Sequence, residues 1–201
     1  MLARLLMLLV AGYLGATAAT AQSAPPTRIR GTIAGLEGQV LTVATREGPK
    51  ADIVLNDPLT VMTVKKVELS DIKPGSYVGI ATRTGSAGEL LALEVLVFPE
   101  AMRGAGEGHY PWDLEPGSMM TNGTVTGAVE ANTGRELGIS FKNGSNKIVV
   151  PPGVPIVTFA PAERADLRAG APIFCIATKN AEGKLAASRI TVGKDGVAPP
   201  M

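Results

Sequence analysis

The sequence predicts an all-β protein made of two tandem small barrels of the OB-like type. Three observations carry that prediction: an ordered internal repeat, short strand-like runs rich in Val, Ile and Thr, and an aromatic content of only 4%. β-Branched residues pack well on a pleated face. With so few aromatic side chains the cores have to be aliphatic, and small barrels tolerate this because closure removes exposed strand edges.

The chain opens with one cation, Arg4, followed by an apolar run from Leu5 to about Leu14 and then small residues ending Ala19-Thr20-Ala21. This order predicts a secretory signal peptide over residues 1–21, cleaved near Ala21. The apolar run is shorter than the roughly 20 residues that span a bilayer. The predicted location is therefore periplasmic or secreted, without stable membrane insertion. The chain has 19 Lys and Arg against 18 Asp and Glu. Losing Arg4 with the leader leaves the signs balanced, and a neutral surface argues against a nucleic-acid partner. A single cysteine, Cys175, rules out an internal disulfide. It lies in the apolar run PIFCIAT and reads as a small buried hydrophobe.

Five segments recur in the same order. Gly31-Thr32-Ile33 matches Gly123-Thr124-Val125, LTVAT at Leu41 matches LGISF at Leu137, and ADIVL at Ala51 matches NKIVV at Asn146. Further on, Ser70–Thr82 matches Ala165–Thr178, and Glu89–Val97 matches Lys184–Val192. Two copies point to duplication rather than a solenoid. They predict a first domain over 22–98, a connector over 99–120, a second domain over 121–193 and a tail over 194–201. Within each copy, Asp71 and Asp166 are placed to cap a short turn. The apolar residue after each, Ile72 or Leu167, is placed to plug a barrel end. Asn143-Gly144 favours a tight hairpin.

The repeated Gly-Thr-aliphatic opening, the Asp-aliphatic-x-x-Gly turn and the closing strand resemble an OB-like domain found in uncharacterised exported proteobacterial proteins. The stretch Gly106–Val125 and the tail VGKDGVAPPM share that resemblance. It implies an architecture and brings no catalytic residues.

The connector collects the rarest side chains: His109, Tyr110, Trp112, Asp113 and the pair Met119-Met120. An irregular stretch longer than about 15 residues in a compact domain is usually functional or a linker. Aromatic residues are costly to leave in water, so this one is expected to fold back onto a barrel with Trp112 as a packing anchor. Two other readings compete. His109, Tyr110 and Trp112 stack on a small molecule or glycan while Asp113 and Glu115 bind its hydroxyls. Alternatively, His109, Met119 and Met120, with Met102 or Met201 nearby, hold copper, since thioethers suit Cu(I). Adjacent methionines on a strand point to opposite faces, which counts against the last. No catalytic motif is present and no cofactor is implied. The expected function is a non-catalytic binding or scaffold module whose partner is a small molecule, a glycan or an envelope protein, with copper handling as the alternative.

Overall fold

The computed structural model describes residues 25–131 and 134–199. The expected leader over 1–21 and Met201 lie outside them. Twelve strands follow in chain order: β1 Thr27–Glu37, β2 Val40–Thr45, β3 Lys50–Lys66, β4 Tyr77–Thr84, β5 Leu90–Val97 and β6 Gly108–Pro111, then β7 Met119–Ala131, β8 Gly134–Phe141, β9 Gly144–Val150, β10 Ile156–Pro161, β11 Pro172–Lys179 and β12 Leu185–Val192. Three single 3-10 turns, Leu69–Asp71, Glu100–Met102 and Arg164–Asp166, are the only helical pieces among the described residues. None is long and apolar enough to cross a membrane.

The protein is all-β and contains a closed five-stranded barrel. β1 pairs antiparallel with β2 and β11, β2 with β3, and β11 with β12, while β12 closes the circuit by running parallel to β3. The remaining strands follow the same scheme. β7 pairs with β8 and β4, β8 with β9, β4 with β5, and β5 runs parallel to β9. This gives a second ring of five. β10 ties the two together, antiparallel to the end of β3 and parallel to β5.

Strand provenance departs from sequence order. Residues 22–98 supply β1 to β5 and residues 121–193 supply β7 to β12, but the two stretches exchange strands. The first barrel takes β11 and β12 from the second stretch, and the second ring takes β4 and β5 from the first. The turn between exchanged parts follows the same rule. Leu167 is buried in the core of the first barrel with Leu41, Val43, Ile53 and Ile190, while Ile72 is buried in the second core with Val78, Ile80, Leu137 and Ile148. Matched backbone bonds fix each turn to its ring. Gly170 N–H donates to Ile33 O (2.8 Å) and Gly75 N–H to Val125 O (2.8 Å).

The aspartates hydrogen-bond backward. Asp71 Oδ2 accepts the Glu68 N–H at 3.0 Å and Asp166 Oδ2 accepts the Glu163 N–H at 2.9 Å, each closing the 3-10 turn that ends on it. This satisfies an N–H that a turn of three residues leaves free. Both cores are aliphatic throughout, and each fully buried Leu, Ile or Val contributes about 1.5–3 kcal/mol. Cys175 is 2% exposed inside the first core, where burial pushes its thiol pKa up to about 12 and keeps it neutral.

Candidate functional site

The connector forms a hairpin with the start of β7. β6 pairs with it antiparallel: His109 opposite Thr121, Tyr110 opposite Met120 and Pro111 opposite Met119. Residues 112–118 make the loop. Trp112 N–H donates to Ser118 O (2.8 Å), and the buried Ser118 hydroxyl lies 3.1 Å from Trp112 O and 2.8 Å from Glu115 O.

The loop tip is clamped onto the first barrel by arginines of β1 and of the β2–β3 turn. The Arg28 guanidinium sits 3.9 Å from the Trp112 ring centroid. Asp113 pairs with Arg30 at 2.9 Å and with Arg28 at 3.5 Å. Arg46 donates to Asp113 O (2.9 Å) and Leu114 O (3.0 Å). A cation over an indole face is worth about 0.5–2 kcal/mol, more than an ion pair as exposed as that of Asp113. Trp112 is thus the anchor and Asp113 the aligning contact.

Desolvation raises the Asp113 carboxyl, but the hydrogen bond and charge of Arg30, aided by the charge of Arg28, outweigh it and leave its pKa below the usual carboxylate range. A folded-state pKa below the unfolded one means stabilisation that is complete above the ordinary Asp value of about 4 and lost as pH falls through the lower folded value. Trp112 is the sole tryptophan and reports the contact. Acid titration of its emission should show a transition below about pH 4, before global unfolding, and Asp113→Asn should lack it. Identical titrations of the two proteins would exclude Asp113 as the clamp.

Strand alternation sorts the remaining candidates. Cross-strand partners share a face, so His109 lies with Thr121 and Met119, while Tyr110 lies with Met120. His109 is exposed. Its Nδ1 is 2.8 Å from Thr121 Oγ1 and accepts from Asn146 Nδ2 at 3.1 Å, and its ring stacks on Phe141 with centroids 6.2 Å apart. Met120 is buried on the other side. The structure therefore brings Tyr110 and Trp112 together, ring centroids 6.1 Å apart, and separates them from His109. It likewise divides His109 and Met119 from Met120. Among the described residues, no three His, Cys, Asp or Glu side chains gather where a metal ion would be held.

On the Tyr110 side lies a cavity of about 480 Å³ between the hairpin, the outer face of β11 and β12, and the seam joining the rings. Phe98, Tyr110, Trp112, Phe159 and Phe174 line it, five of the seven aromatic residues described. Ile176 projects at its edge, 49% exposed. Gly106 lets the connector close over one end. With φ +59°, a Cβ there would meet Asn122 Nδ2 at 2.7 Å and Tyr110 OH at 3.1 Å. Asn122 Nδ2 donates to Ala105 O and to Tyr110 OH, both at 3.2 Å. Burial raises the Tyr110 phenol pKa, opposed by the charge of Arg28. The indole N–H of Trp112 is buried and reaches no acceptor among the described residues.

Sequence reasoning found Tyr110 and Trp112 but missed Phe98, Phe159, Phe174, Arg28 and Arg189, which line the same cavity. A signal for Phe174 and Ile176 existed. In PIFCIAT, Ile173, Cys175 and Ala177 alternate into the core, so Phe174 and Ile176 have to face outward. Compared with protein families, curated proteins and solved structures, the chain matches none.

Proposed function

We propose that this protein is an exported, non-catalytic binding module that holds a small, ring-bearing apolar molecule in the cavity between its two rings. The observation that carries the reading is the distribution of aromatic side chains. The cores of the two rings contain none; Phe98 and Phe159 pack on a small third cluster of Val64, Leu96 and Val157 at the seam, and with Tyr110, Trp112 and Phe174 they line one cavity. Packing both cores with aliphatics while lining a single outside cavity with aromatics fits a ligand surface better than a demand for stability. The volume lies within the roughly 300–1,000 Å³ usual for small-molecule sites. The leader-like residues 1–21 support export to the periplasm.

Each ring also reads as an OB-like barrel. Three antiparallel strands, β1–β3 or β7–β9, are closed by a hairpin, β11–β12 or β4–β5, whose second strand runs parallel to the last of the three, with an apolar turn residue plugging the end. In this reading the duplication produced two such barrels that share their closing hairpins, and the seam created by sharing became the ligand site.

N-phenyl-1-naphthylamine, a neutral probe that brightens in apolar surroundings, tests the reading. One saturable site should appear and should quench Trp112. Ile176→Glu, a change at an exposed position, should abolish binding while leaving the melting temperature unchanged. Absence of a saturable signal, or binding indifferent to Ile176→Glu, would remove the proposal.

A further inference from the structure

We infer that the molecule held in this cavity is an organic anion, its rings or hydrocarbon body against the aromatic wall and its acidic group toward Arg189 and Arg28. The inference rests on the binding function proposed above and adds the ligand's charge. Two observations converge on it.

The first is the sign of the wall. The cavity is bordered by two arginines and by no carboxylate. The charged side chains at this opening are thus positive, with Asp113 beside Arg28 offsetting part of that charge. Low-dielectric walls strengthen the field of these side chains.

The second is the state of the two guanidinium groups. Arg28 is only partly neutralised: Asp113 lies 3.5 Å from it but 2.9 Å from Arg30. The Trp112 ring beneath Arg28 orients the guanidinium without cancelling its charge. Arg189, exposed on β12, makes no ion pair within 4 Å among the described residues. A guanidinium carries five N–H donors and no acceptor. Its planar fork matches a carboxylate or sulfonate with two parallel hydrogen bonds.

Two guanidinium groups at one opening call for acceptors, and an acid oxygen is the ligand group that supplies them without bringing a competing donor. An ammonium would meet repulsion.

The test uses two probes that share a phenylnaphthylamine ring system. 1-Anilinonaphthalene-8-sulfonate carries an acid group and N-phenyl-1-naphthylamine does not. Each is titrated into the native chain and into Arg189→Gln and Arg189→Lys. The sulfonate should bind at one site, weaken with added salt, and lose about tenfold in affinity in Arg189→Gln, the loss expected for one charge-assisted hydrogen bond. Arg189→Lys should recover part of that loss. The neutral probe should be indifferent to salt and to both variants, and all three proteins should melt together. If the neutral probe binds but the sulfonate is unaffected by Arg189→Gln, or both probes weaken equally, the anion inference is overturned and the binding function stands. If neither probe saturates, the binding function itself falls.

Discussion

A chain ended after Gly170 is expected to lose its N-terminal barrel even though every residue of 22–98 remains. The truncation removes β11 and β12, which complete the circuit between β1 and β3. Without them Ile29, Ile33, Leu41, Val43 and Ile53 face water on an open three-stranded sheet. At about 1.5–3 kcal/mol each, these five represent a loss comparable to the whole stability of a typical domain, roughly 5–15 kcal/mol. The second ring keeps all its strands, because β4, β5, β7, β8 and β9 precede the cut. Hydrogen exchange should therefore find the amides of β1 and β2 unprotected and those of β8 and β9 protected. Protection of β1 and β2 in the truncated chain would mean that β4 and β5 had returned to close the first barrel, and that the exchange of strands is not obligatory.

The sequence carried the strands but not this exchange, for a physical reason. Residues 77–84 and 172–179 hold equivalent places in the two rings, each as the first strand of the closing hairpin, and no local pattern distinguishes the two pairings. The connection decides. β3 has 17 residues, which at about 3.3 Å each extends roughly 55 Å, far beyond one small barrel. Its first part lies in the first barrel, and its last part, beside β10, delivers the chain to the second ring. The segment ADIVL, read as a strand from the sequence, ends at Leu55, and Asn56-Asp57-Pro58 beyond it is turn chemistry, so no local signal announces a strand that continues to Lys66. The site was legible to a similar degree. Trp112 and Tyr110 stood out through scarcity and local clustering. Phe98, Phe159 and Phe174 come from separate strands that only the exchanged topology brings to one seam. His109 was grouped with Tyr110 by proximity along the chain, although one step along a strand reverses the face.

Gly31→Ala and Gly123→Ala are expected to be among the most damaging single-methyl additions, and they explain the glycine in β1 and its counterpart in β7. A Cβ on Gly31 would lie 2.2 Å from Ala44 O and 2.8 Å from Val43 Cγ1, and one on Gly123 would lie 2.4 Å from Ser140 O and 2.8 Å from Ile139 Cγ2. The obstacle in each case is the backbone of the neighbouring strand, β2 or β8, which cannot turn aside as a flexible side chain would. Each glycine also sits two residues before a register shift, at Ile33/Gly35 in β1 and at Val125/Gly127 in β7. A bulge bends its strand and increases the local twist, and the strand that bends presses its neighbour closest at the residue without a side chain. Relief requires strand separation, at about 3 kcal/mol for an overpacked site and roughly 10 °C in melting temperature for a chain of this size. The bulge glycines provide the control. Gly35 and Gly127 have no atom within 4 Å of an added Cβ and no positive φ, so Gly35→Ala and Gly127→Ala should change stability by less than about 0.5 kcal/mol. Thermal melts of the four variants decide the matter. If all four melt alike, the repeated Gly-Thr step owes nothing to close strand approach. If Gly31→Ala and Gly123→Ala alone fall, the same steric demand operates in both rings, each assembled from strands of both stretches of the chain.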